Sequence, residues 1–95
     1  MLKEITPEEL INKSPQEIQI IDIREPYELV DGNILGNINI PMEHILDKKN
    51  QLSKTKDIVI YCNTGRRSKP VVYMTYKLYN ITLYNLKGGY KAFIK

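Results

Sequence analysis

Residues 62–68, Cys-Asn-Thr-Gly-Arg-Arg-Ser, are the stretch of this chain whose types and spacing could do chemistry. Cys62 is the one thiol in the sequence, and it ends the apolar run DIVIYC (57–62). The reactive form of cysteine is the thiolate, which cationic neighbours or a helix N-terminus favour. Arg66 and Arg67 bring two positive charges within five residues of the sulfur. Gly65 permits a tight turn, so successive amides can point inward as an anion cradle. Asn63, Thr64 and Ser68 add short polar side chains that can hold the curve or donate to an anion. On strand position alone Cys62 reads as a small buried hydrophobe. A strand end, a thiol, a tight loop, arginines and a helix together read as a nucleophile in a cationic loop.

Two elements must position that loop. DIVIYC is the clearest strand, and RSKPVVYMTYKLYN (67–80) reads as a helix. Pro70 is tolerated only near a first turn, so this helix begins close to Arg67 or Ser68. Its free N–H groups and positive dipole end then face the loop. Upstream, Thr6, Pro7 and Glu9 spell a helix start with a capping box. EIQIIDI (17–23) reads as a strand buried on both faces. EPYELVDG (25–32) reads as one or two helical turns stopped by Gly32, and NINIP (37–41) as a short strand.

Met42, Ile45, Leu46 and Leu52 mark one face of an amphipathic helix. ITLYNL (81–86) is a last strand, Gly88-Gly89 a turn, and YKAFIK a short terminal helix. This alternation predicts an α/β domain with a mainly parallel sheet. In such sheets functional groups gather at the carboxyl ends of the strands. Cys62 sits at such an end.

Other polar residues read more plainly. Asp22 and Arg24 lie two apart at a strand end and should point the same way, as an ion pair fixing strand to loop. His44 reads as a surface residue. Tyr73, Tyr76 and Tyr79, spaced by three on one helix, are expected to pack against the sheet, and Lys87 to be solvated.

Composition bounds the rest. Ninety-five residues, 42% hydrophobic and 26% charged, suit a single domain over 1–95. No apolar run approaches the roughly 18 residues of a membrane span, and the polar MLKEITPEEL is unlike a secretory signal. One cysteine gives neither an internal disulfide nor a CxxC pair, which makes the cytoplasm the expected location. With one histidine beside it, a structural zinc site is not expected, so no metal or cofactor is assigned. The net charge of +3 is scattered, which argues against nucleic acid as a partner.

The loop C62-N63-T64-G65-R66-R67-S68 resembles the C-x-x-G-x-R-S loop of rhodanese-type sulfurtransferases. IDIREPYE (21–28) resembles that family's Asp-x-Arg-Glu segment, and DGNILGNINIP (31–41) its Gly-His-Ile-x-Gly-Ala-x-Asn-Ile-Pro segment. LKGGYKAF (86–93) resembles its Gly-Gly-x-x-x-Trp segment. Asn33, Asn37 and Phe93 depart from the family's usual His, Ala and Trp, all outside the loop.

The resemblance implies a rhodanese-like α/β fold with helices on both faces of the sheet. It also implies transfer of a sulfane sulfur from thiosulfate or a related small anionic donor, without a cofactor. Cys62 would carry a persulfide and pass sulfur to cyanide, an external thiol or an acceptor protein. Asn63, Thr64, Gly65, Arg66, Arg67 and Ser68 would hold the donor, and Asp22 and Arg24 would support the loop. Two alternatives stay open: a sulfur-carrying or partner-binding module with little turnover, and a Cys-based phosphatase or arsenate reductase. Cys-based phosphatases use Cys-x5-Arg. Here four residues separate Cys62 from Arg67, which favours attack on sulfur. Oligomeric state is not indicated.

Overall fold

Thr6 acts as its spacing requires. Its Oγ1 accepts from the Glu9 N–H at 3.1 Å, and its own N–H donates to Glu9 Oε1 at 2.9 Å. This reciprocal cap starts α1 (Pro7–Ile11). The computed structural model describes residues 2–95. A two-residue strand, β1 (Glu4–Ile5), precedes α1 and is absent from the sequence reading, being too short to show a period.

β2 (Ile18–Asp22), β3 (Ile38–Asn39), β4 (Asp57–Tyr61) and β5 (Leu83–Leu86) join β1 in one sheet. Every pairing is parallel, and the order is β1-β5-β4-β2-β3. From β4 the chain proceeds to β5, and from β2 it proceeds to β3, away from each other. The carboxyl ends of β2 and β4 therefore border the crevice where such sheets bind ligands. Asp22 and Tyr61 are in register there, which puts residues 23–24 and 62–63 on one rim.

β4 divides the core in two by strict alternation. Ile58, Ile60 and Cys62 belong to one cluster, with Val72 of α2 (Ser68–Tyr79). Val59 and Tyr61 belong to the other, with Leu10 of α1 and half-buried Phe93 of α3 (Gly89–Phe93). Helices thus cover both faces of the sheet. Each fully buried aliphatic side chain in these clusters stabilises by about 1.5–3 kcal/mol. Among the described residues no helix is long and apolar enough to cross a membrane.

Three local expectations need correction. Residues 42–52 do not form one amphipathic helix but two 3₁₀ turns, Met42–His44 and Lys49–Gln51. Gln19 of β2 stops the second turn. Its Nε2 donates to the Gln51 carbonyl at 2.8 Å and its Oε1 accepts from the Ser53 N–H at 2.7 Å, drawing Leu52 into an extended conformation. Ile45 and Leu52 are buried all the same.

The second correction concerns Tyr73, Tyr76 and Tyr79, which are 50%, 58% and 41% exposed. The buried stripe of α2 is Ser68, Val72 and Thr75, small side chains that let the helix lie close to the sheet. Tyr79 instead stacks under Lys49, whose Nζ is 3.9 Å from the ring centroid. Third, β2 is not closed on both faces along its length, since Gln19 and Ile20 stay half-buried. His44 lies on the surface beside Glu43 and Asp47.

Candidate active site

The alternation of β4 aims Cys62 toward α2, and the loop then folds back over its sulfur. Gly65 makes this possible with φ +97°, a conformation that side chains resist. Its N–H donates to Cys62 Sγ at 3.1 Å, and Ser68 Oγ lies 3.4 Å from the same sulfur. Cys62 is 1% exposed. Burial pushes the thiol up, but the Ser68 hydroxyl and the amides of Ser68, Arg67 and Thr64 outweigh it. The result is a thiol held below its usual range.

Outside this cradle, α3 grips the backbone of the loop. The Tyr90 N–H donates to the Cys62 carbonyl at 2.8 Å and the Lys91 N–H to the Asn63 carbonyl at 3.0 Å. Gly89 is needed for that approach. At φ +66°, a Cβ there would stand 2.5 Å from the Asn63 carbonyl and 2.6 Å from the Cys62 oxygen. The Gly88-Gly89 pair is therefore more than a turn, because it brings the α3 amides onto the loop.

Asp22 and Arg24 sit beneath the loop, 0% and 1% exposed. Arg24 Nε and Nη2 donate to the Asp22 carboxylate at 3.0 and 2.7 Å. The same guanidinium donates to the Gly32 carbonyl at 2.8 Å and to Asn63 Oδ1 at 3.1 Å. It also lies 4.8 Å from the Tyr90 ring centroid. One buried cation thus joins the end of β2, the 3₁₀ turn Pro26–Asp31, the loop and α3.

The loop side chains divide by direction. Asn63 turns down to Arg24, and Thr64 is exposed and accepts from the Arg66 N–H at 3.4 Å. Arg66 is exposed and forms no ion pair among the described residues. Arg67 is held by Glu28, which sits in the 3₁₀ turn. The sequence reading omitted Glu28, Asn85 and Glu4, although Asn85 and Glu4 reach the sulfur through Ser68. No local pattern marks them, since their partners lie 17 to 81 residues away.

A family model, the Rhodanese-like domain, matches residues 6–95. The chain belongs to the rhodanese-like family. Among its relatives is a protein of Allochromatium vinosum named sulfurtransferase, 33% identical over 98 residues, covering 100% of this chain and 91% of the relative. An uncharacterized protein of Bacillus subtilis, YqhL, is 36% identical over 91 residues, covering 96% and 71%. The crystal structure of a rhodanese-like domain protein from Staphylococcus aureus superposes with a TM-score of 0.84 at 34% identity, covering 97% of this chain and 91% of that one. A rhodanese-related protein from Thermoplasma volcanium gives 0.85 at 28% identity, covering 97% and 90%. The rhodanese-like fold expected from the four segments is the fold observed.

Proposed function

We propose that this chain, acting as one rhodanese-like domain over 1–95 in a reducing compartment such as the cytoplasm, is a sulfurtransferase with Cys62 as its nucleophile. The observation that carries the reading is the sulfur's seat, with the Gly65 amide at 3.1 Å and the Ser68 hydroxyl at 3.4 Å from Sγ. The sulfurtransferase name of the Allochromatium vinosum relative supports the same chemistry.

The Cys62 thiolate attacks the outer sulfur of thiosulfate, forming an S–S bond. The sulfur–sulfur bond of thiosulfate breaks, and sulfite leaves with that electron pair. The persulfide keeps one negative charge, which the loop amides accommodate as they did the thiolate. Cyanide, an external thiol or an acceptor protein then takes the terminal sulfur and regenerates the thiolate. Arg66 is the cation open to the incoming anion. Asn63, Thr64, Gly65 and Ser68 shape the loop, and Asp22 and Arg24 support it from below.

Intact-mass measurement tests this. Incubation with thiosulfate is expected to add the mass of one sulfur atom, cyanide to remove it, and Cys62→Ser to abolish the addition. A wild-type chain left unlabelled by every sulfane donor would sink the reading.

The deep burial of Cys62 and the occupied Arg67 favour one second reading, a sulfur carrier with little turnover. It predicts stoichiometric loading from a persulfide donor with no steady-state thiocyanate production.

A further inference from the structure

Asn85 is 0% exposed on an inner strand, where a polar side chain must find a complete set of partners. Its Nδ2 donates to Glu4 Oε2 at 2.8 Å, and its Oδ1 accepts from the Ser68 hydroxyl. The parallel register of β1 on β5 sets Glu4 directly beside Asn85. Because a carboxylate only accepts, Nδ2 must face Glu4, which leaves Oδ1 facing Ser68.

The Ser68 hydroxyl has one proton and three acceptors around it: Asn85 Oδ1, the Gly65 carbonyl at 3.3 Å and Cys62 Sγ at 3.4 Å. A thiolate attracts that proton more strongly than a neutral amide does. A thiol, or the inner sulfur of a persulfide, does not. We propose that Asn85, oriented by Glu4, is a positioning residue that competes with Cys62 for the Ser68 proton and receives it whenever the sulfur is uncharged. This rests on the reading of Cys62 as a sulfur-carrying nucleophile. The hydroxyl then serves the unloaded and the loaded site by rotation alone, with no movement of the loop.

Other charged or titratable groups around the loop are Asp22 at the end of β2 and Arg24 just after it, Tyr27 and Glu28 from the 3₁₀ turn, Arg66 and Arg67, Lys69 from α2, Tyr61 from β4 and Tyr90 from α3. None is altered in the test. The pH midpoint of Cys62 alkylation by iodoacetamide is measured on the full, unloaded chain. Asn85→Leu keeps the volume and removes the competing acceptor, so the midpoint is expected to fall by about 0.5–1 pH unit. Glu4→Gln, which frees the amide to reverse, is expected to lower it by a smaller amount. Ser68→Ala is expected to raise it, and neither substitution should shift the midpoint further in a Ser68→Ala background.

A wild-type midpoint in Asn85→Leu, or an undiminished shift without Ser68, would overturn the proposal. Should Asn85→Leu fail to fold, Glu4→Gln at the exposed position decides by the same two criteria. The midpoint requires no sulfur donor, so a failure of thiosulfate loading would count against the functional reading and leave this result separate.

Discussion

Glu28 grips the loop arginine with both oxygens, Oε1 accepting from Arg67 Nη1 and Oε2 from Nη2, each at 2.8 Å. The two-pronged geometry is the strong form of this pair. It occupies the guanidinium that the loop sequence offers to an anion, and it ties the loop to the turn after β2. Arg66, four residues from Cys62, is exposed and forms no ion pair among the described residues.

Glu28→Gln is therefore expected to lower the thiosulfate KM a few-fold by releasing Arg67. The stability cost is expected to be about 1 kcal/mol or less, since Arg67 is 36% exposed and solvent screens the pair. Steady-state kinetics and urea unfolding check both numbers. An unchanged or raised KM would show that Arg67 takes no part in donor binding.

The same pair gives a pH dependence with a definite sign. The hydrogen bonds from Arg67 hold the Glu28 carboxyl at about 2, below the usual 4.5. A depressed folded-state value means the contribution is fully present above pH 4.5 and is lost as pH falls toward 2. The difference in urea midpoint between wild type and Glu28→Gln is expected to shrink across that window. A difference that stays constant there would place the stabilisation elsewhere.

For Cys62 the sign is the same and the window lies below 9.0. Its thiol lies below the ordinary 9.0, so iodoacetamide alkylation should reach half its maximal rate below that pH. Stability relative to Cys62→Ala should grow as pH rises through the folded midpoint and level off above 9.0. Alkylation with an ordinary thiol midpoint would mean that burial outweighs the amide cradle.

Gly89→Ala is expected to cost roughly 2–4 kcal/mol, combining a left-handed backbone with a collision against the loop carbonyls. Gly36→Ala provides the comparison. It shares a positive φ, +88°, but has nothing within 4 Å of the added carbon, so only about 1–2 kcal/mol of backbone strain is expected. Urea unfolding of the two variants separates collision from strain. Equal losses would refute the close approach of α3.

Features carried by neighbouring residues were legible in the sequence. The Thr6–Glu9 cap, the start of α2 at Ser68 and the Asp22–Arg24 pair all follow from spacings of four residues or fewer. Distant partners were not legible. Gln19 stops the second 3₁₀ turn from 32 residues away by bonding its backbone, and Glu28 finds Arg67 across 39 residues. The tyrosines of α2 share a helical period with its small residues, and pattern alone could not say which stripe faces inward.

The grip of α3 on the loop carries a consequence for synthesis. The loop leaves the ribosome well before the Asn85 side chain and the amides of Tyr90 and Lys91 that hold it. Until those residues emerge, the nascent chain carries every letter of the loop motif and lacks its scaffold. The seat of the thiol is complete only once the final strand and helix dock.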